Sequence, residues 1–300
     1  MVWMAATVVL ASGCAVRKTR VQPAQVPLTL QTATKEQLVG RYNSLAKAIT
    51  SLNATVTMKL TAGSAYSGVI EQYHEINGFI LAARPKDIRV IGQVPVVGKD
   101  IFDMVSDGTT FHIFIPSKNK FLEGPANIER PATKPIENLR PQHLMDALFW
   151  PVISSAVPVL FEEATQSSSS FYVLTIVRRA SESAESHTAN AGVAGAQSDW
   201  EIARKVWFSR ADLNVARVET YESGGKVSSD TRYNDWQPAG DSSYARQINV
   251  SRPTDDYQLQ INIAKLSVNE PIASDRFVLK QPPGTELVRV GQDASAGSQP

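Results

Sequence analysis

Ile101-Phe102-Asp103-Met104-Val105-Ser106-Asp107-Gly108-Thr109-Thr110-Phe111-His112-Ile113-Phe114-Ile115 carries two short apolar, β-branched runs joined at Asp107-Gly108. Asp-Gly tolerates the left-handed backbone of a tight hairpin, so the stretch predicts two adjacent antiparallel strands, 101–105 and 111–115. The pattern repeats on both sides. Upstream, Val56, Met58 and Leu60 alternate with Thr55, Thr57 and Lys59, a strand with one apolar face. Ala62-Gly63-Ser64 turns it into a second strand at 69–73, and Asn77-Gly78 predicts a hairpin leading to 79–83. A strand at 88–91 follows Arg84-Pro85-Lys86. Downstream, strands are predicted at 171–177, 202–208, 215–221, 227–236, 244–250 and 257–264, with a last extended piece through Phe277 and Leu279. Tight turns join antiparallel neighbours, because parallel pairs need long crossovers. The reading is an antiparallel meander of about eleven strands.

Two helical segments interrupt it. Thr34 is a capping residue with Glu36 and Gln37 in the following turn, and Leu38, Tyr42, Leu45, Ile49 and Leu52 recur on one helical face until Asn53 breaks the pattern. After Pro141, Leu144, Met145, Leu148, Phe149 and Trp150 cluster, Pro151 and Pro158 divide the segment, and Val152, Ile153, Val157, Val159, Leu160 and Phe161 extend it. Such faces must be buried, and the only large surface available is the sheet. The fold class is therefore α+β, a curved antiparallel sheet with helices in its concavity.

The chain opens differently. Val8-Val9-Leu10-Ala11-Ser12-Gly13 ends at Cys14, the one cysteine of the 300 residues. The apolar run is much shorter than the roughly 20 residues of a spanning helix and closes on small residues, which reads as a secretory signal over 1–13. Ala11-Ser12-Gly13-Cys14 resembles the lipobox of bacterial lipoproteins, which implies lipidation of Cys14. It departs from that pattern in Ala11, where Leu is commoner, and in having no Lys or Arg before the apolar run. The alternative is a buried free cysteine. Arg17, Lys18, Arg20, Pro23 and Pro27 suit a tether over 14–34 that starts at a membrane face. Ala15 stands where Asp would be the familiar inner-membrane retention signal, so the resemblance favours the outer membrane, facing the periplasm. Residues 35–290 form the folded domain; the Ser-, Ala-, Glu- and Gly-rich insertion 180–198 and the tail 291–300 read as disordered.

Thirty basic and 29 acidic residues leave a net charge of +1, which gives no field for gathering nucleic acid. HExxH, GxSxG, P-loop and CxxC patterns are absent. His74, His112, His143 and His187 are isolated in sequence, and the adjacent pairs Glu162-Glu163 and Asp255-Asp256 read as solvated turns. No catalytic residue, metal ligand or cofactor is expected, and the chain is read as no enzyme.

Several segments together resemble the LolA/LolB lipoprotein-localisation superfamily, which includes mycobacterial lipid-carrying lipoproteins. They are the opening helix into Asn53-Ala54-Thr55-Val56, Arg84-Pro85-Lys86-Asp87-Ile88-Arg89-Val90, and Ser106 through Pro116. Val206-Trp207-Phe208, Val268-Asn269-Glu270-Pro271-Ile272 and Phe277-Val278-Leu279 before Pro282-Pro283-Gly284 complete the set. The resemblance implies an open half-barrel whose apolar concave face is covered by helices and holds acyl chains without chemistry. The insertion 180–198 departs from it. Under this reading Leu144, Leu148, Phe149, Trp150 and Ile153 are a lid over an acyl-binding cavity; the alternative is that they simply fill the core. Val94-Pro95-Val96-Val97, an apolar turn between strands, matches by position a loop that touches the membrane in the receptor branch; the alternative is a loop folded back over the barrel end. The implied partners are lipid or acylated lipoprotein, and the membrane through the N-terminal anchor. A structural or assembly lipoprotein with an envelope protein partner is the second hypothesis, and a lipid-acting enzyme the third.

Overall fold

A computed structural model describes residues 29–64, 69–126, 140–180 and 200–290. Cys14, the signal 1–13, the tether up to residue 28, the insertion beyond residue 180 and the tail 291–300 lie outside them.

Helix α1 (Lys35–Ala48) starts at a complete capping box: Gln37 N–H donates to the Thr34 hydroxyl, and Thr34 N–H donates to the Gln37 side chain. Its face of Leu38, Tyr42 and Ala46 is buried. The helix ends earlier than the apolar spacing suggests. Ile49 is its C-cap and Leu52 already belongs to the first strand, because the strand pattern takes over before Asn53.

The strands are β1 (Ser51–Ser64), β2 (Val69–Gln72), β3 (Ile76–Ala83), β4 (Asp87–Gln93), β5 (Asp100–Ser106), β6 (Thr110–Ile115) and β7 (Lys120–Pro125). Helix α2 (Pro141–Leu148) follows, then β8 (Val159–Gln166), β9 (Ser169–Arg179), β10 (Trp200–Ser209), β11 (Val215–Tyr221), β12 (Val227–Ala239), β13 (Ser242–Arg252), β14 (Tyr257–Val268) and β15 (Glu286–Arg289). Among the described residues they form one open sheet of fifteen strands, in the order β15-β7-β6-β5-β4-β3-β1-β14-β13-β12-β11-β10-β9-β8, with β2 paired to β1. The two wings, β1–β7 and β8–β14, meet where β1 pairs antiparallel with β14.

Four features differ from the sequence reading. Strands number about fifteen rather than eleven. The unforeseen β8 is an edge strand, largely exposed, so it lacks the alternation that marks a half-buried strand. It also carries Glu162 and Glu163, which are therefore strand residues and not a turn. Phe277 closes a 3-10 turn, Ser274–Phe277, and the last strand is β15 instead, parallel to β7. Asn77-Gly78 lies inside β3: a Cβ on Gly78 would meet the Ile91 carbonyl oxygen at 2.6 Å and Met58 Cε at 2.7 Å, so this glycine serves close packing, not a turn.

The core is one-sided and continuous. Ile80, Val90, Met104, Val56, Ile261, Ile248, Tyr233, Phe208 and Leu174, from nine successive inner strands apart from β11, pack with α1 and α2 on the concave side. Register shifts in the β1–β14, β4–β5, β9–β10, β10–β11 and β11–β12 pairs add local twist, which bends the sheet around the two short helices. No helix of the described residues is long and apolar enough to cross a membrane.

Candidate functional site

The cover over the concave face is built from the chain that runs from α2 to β8. Pro141 at the first helical turn starts α2 with a fixed φ and no orphan donor. The helix has no basic residue in its last turn, so its terminal carbonyls need partners from elsewhere. The sheet supplies them. The Tyr233 hydroxyl on β12 donates to the Ala147 carbonyl at 3.0 Å, and the Tyr244 hydroxyl on β13 donates to the Leu148 carbonyl at 2.9 Å. Arg84, just after β3, donates to the Trp150 carbonyl at 2.9 Å and to the Ala46 carbonyl at 2.8 Å, tying the ends of both helices together.

Leu144, Leu148, Phe149, Trp150 and Ile153 are all buried in the main core. Trp150 stacks on Tyr42 with ring centroids 5.4 Å apart, meets Tyr233 edge-on at 5.0 Å, and donates its indole N–H to the Tyr233 hydroxyl at 2.8 Å. Phe149 lies under the Arg84 guanidinium at 5.0 Å. Asn43 on α1 grips the Ile153 backbone by both donor and acceptor, at 2.9 and 2.7 Å. Among the described residues, a pocket between cover and sheet, lined by Leu45, Arg84, Leu148, Phe149, Trp150, Trp236 and Tyr244, has a volume of about 20 Å³. That is room for a single water, so the interior is closed around Phe149 and Trp150. Burial pushes the Tyr233 and Tyr244 hydroxyls well above their ordinary pKa, so both are permanent donors at neutral pH.

Spacing along the chain gives no hint of a second feature. His143 on α2 is half-buried, with Nδ1 2.7 Å from the Tyr257 hydroxyl and Nε2 4.0 Å from Asp255. Desolvation, reinforced by Arg252 and Arg140, lowers its pKa to about 3. The imidazole is neutral in the folded protein. Asp146, one turn on, is exposed and accepts from the Gln142 side chain at 2.8 Å.

Val94, Pro95, Val96 and Val97 connect β4 to β5. Val96 is fully exposed and Val97 74% exposed, while backbone bonds from Val97 to Pro95 and from Gly98 to Val94 stay within the loop. Val96 has φ 69°, which is unfavourable for a β-branched residue and stores on the order of 1–3 kcal/mol. Its side chain meets solvent instead of the body of the protein. Of the residues that clamp the cover, Arg84 falls in a motif visible in the sequence; Asn43, Tyr233 and Tyr244 carry no local signal. Among the described residues, no three His, Cys, Asp or Glu side chains gather as a metal site.

Neither a family model nor a curated protein matches the chain. Solved structures do. The chain is similar to LolA superfamily protein NE2245 of Nitrosomonas europaea, at 10% identity and a TM-score of 0.48, over 83% of this chain and 99% of that one. At 11% identity and the same TM-score, it is similar over 80% of its length to 94% of a DUF1329 family protein from Desulfovibrio piger. The same figures hold for a domain of Vibrio parahaemolyticus named provisionally for outer membrane lipoprotein sorting. The likeness is one of fold.

Proposed function

We propose that the protein is an envelope carrier or acceptor that takes hydrocarbon chains, of lipid or of acylated lipoproteins, between its sheet and the 141–153 cover, and performs no reaction. One observation carries this reading. The apolar concave face is roofed by an eight-residue helix and an extended segment that add no strand to the sheet and are held by side-chain hydrogen bonds from Tyr233, Tyr244, Arg84 and Asn43. Such a roof can leave as a unit while the sheet stays paired. With about 20 Å³ of free space, a guest must displace the Phe149–Trp150 region rather than join it.

The energies permit exchange. Five buried apolar side chains contribute about 8–15 kcal/mol at the usual 1.5–3 each. A 16-carbon chain contributes about 12 kcal/mol at about 0.8 per CH₂. Guest and cover are near equivalents, so binding can be reversible. The signal 1–13, acylation at Cys14 and an outer-membrane address belong to the same reading, as does membrane contact through Val96 and Val97.

The closed interior favours a second reading, a structural or assembly lipoprotein whose concavity is permanently filled. Organic extraction with mass spectrometry, and uptake of a fluorescent fatty acid, separate the two. The carrier reading expects bound lipid or saturable uptake, raised in Tyr233→Phe/Tyr244→Phe. No lipid and no uptake in either protein leaves the structural reading. For the loop, Val96→Glu/Val97→Glu is expected to reduce liposome binding of the unacylated protein; unchanged binding removes membrane contact.

A further inference from the structure

Among the described residues the cover does not close beyond Trp150. From Val152 to Pro158 it runs over the ends of β9 and β10 and leaves an open groove of about 440 Å³, within the range of small-molecule sites. Its floor is Ile153, Val157, Ile176 and Ala203, continuous with the core through the buried Ile153 and Ile176. Trp200, 52% exposed, and Val152, 48% exposed, present apolar surface along it. Three arginines line the same groove: Arg178, Arg179 and Arg204. The carboxylate beside them is Glu201, 3.7 Å from Arg178 and also an acceptor for Gly224 N–H. Arg179 lies over the Trp200 ring at 5.6 Å. Arg204 donates to the Tyr42 hydroxyl at 2.9 Å and to the Pro151 carbonyl at 3.3 Å, the hinge between the buried and open parts of the cover.

An apolar floor leading into the core, rimmed by three guanidinium groups against one carboxylate, has the chemistry of a hydrocarbon chain with an anionic head. We infer that this groove is the mouth through which an anionic amphiphile, phosphate-headed and single- or double-chained, approaches the cover. Arginine forks suit phosphate oxygens in a way that a neutral head cannot match. An anionic head competes for Arg204, whose bond to Pro151 is long, and so frees the cover at its hinge while the tail follows the floor toward Ile153. The inference rests on the carrier reading and adds the head-group class to it.

The test measures binding of palmitoyl lysophosphatidylglycerol, neutral monopalmitoylglycerol and inorganic phosphate to the full chain, wild type and Arg178→Gln/Arg179→Gln. Both arginines are partly or largely exposed at the rim, so the variant is expected to fold, which circular dichroism checks. The expected result is anionic lipid bound about tenfold or more tighter than the neutral lipid, the scale of a charge-assisted hydrogen bond or two. In the variant that ratio falls toward one through loss on the anionic side. Equal affinities for the two lipids in wild type overturn the head-group site and leave the carrier reading standing. Binding of neither lipid overturns both. Inorganic phosphate bound as tightly as the anionic lipid makes the groove a free-anion site and overturns its assignment to an amphiphile.

Discussion

The cover changes character at Pro151. On its N-terminal side, Leu144, Leu148, Phe149 and Trp150 are buried, and the carbonyls of Ala147, Leu148 and Trp150 accept from Tyr233, Tyr244 and Arg84. On its C-terminal side, Val152, Ser154, Ala156 and Pro158 are exposed, and the bonds between this stretch and the rest are few: Asn43 to Ile153 and Pro158 to Val177. One chain thus supplies a plug and a rim in succession. A plug whose Ala147, Leu148 and Trp150 carbonyls are all held from the sheet side stabilises the closed state, whereas an exposed apolar rim is what an incoming chain meets first.

The contrast breaks hardest at Trp150. Trp150→Ala removes three ring contacts, with Tyr42, Tyr233 and Trp236, and the indole bond to Tyr233, and the expected loss is about 3–5 kcal/mol by urea denaturation. Val152→Ala, two residues away on the rim, is expected within about 0.5 kcal/mol of wild type. Comparable losses at both positions would mean that the rim is packed as tightly as the plug.

Acid should weaken the fold through His143 on the plug. The folded pKa of His143 is about 3, below its ordinary 6.5, so above pH 6.5 it is neutral folded or unfolded and contributes no pH dependence. Between pH 6.5 and about 3 the unfolded chain binds a proton that the folded one refuses, and stability falls by up to about 1.4 kcal/mol per pH unit. His143→Gln is expected to flatten the acid limb of stability measured by denaturant between pH 7 and 4. An unchanged limb would show that α2 does not control it.

The sequence makes some of this plain and hides the rest for identifiable reasons. Asp107-Gly108 and Asn77-Gly78 look alike on paper. Gly108 does take φ 79° in its turn, but Gly78 sits mid-strand because Met58 and the Ile91 carbonyl leave no space for a Cβ. Local chemistry writes the first, and neighbours distant in sequence write the second. The cover behaves likewise. Its apolar composition is legible, but its clamps come from 66, 86 and 96 residues away, as Arg84, Tyr233 and Tyr244. The capping box at Thr34 and Gln37 was legible because both partners lie within one turn. The closed interior was not, since free volume is a property of the packed whole.

The smallest effect gives the finest division of the cover. Tyr244→Phe keeps the buried ring and deletes only the donor to the Leu148 carbonyl, leaving a buried acceptor unpaired. The expected cost is about 1–3 kcal/mol, less if a water reaches the carbonyl. Hydrogen exchange locates it. If the plug opens as a unit, amides of Met145–Phe149, including the Phe149 N–H bonded to the Met145 carbonyl, exchange faster by the same factor while β1 and β14 amides keep their protection. Uniform acceleration across the sheet would mean instead that the cover and the sheet form a single cooperative body, and that nothing enters the concave face without unfolding it.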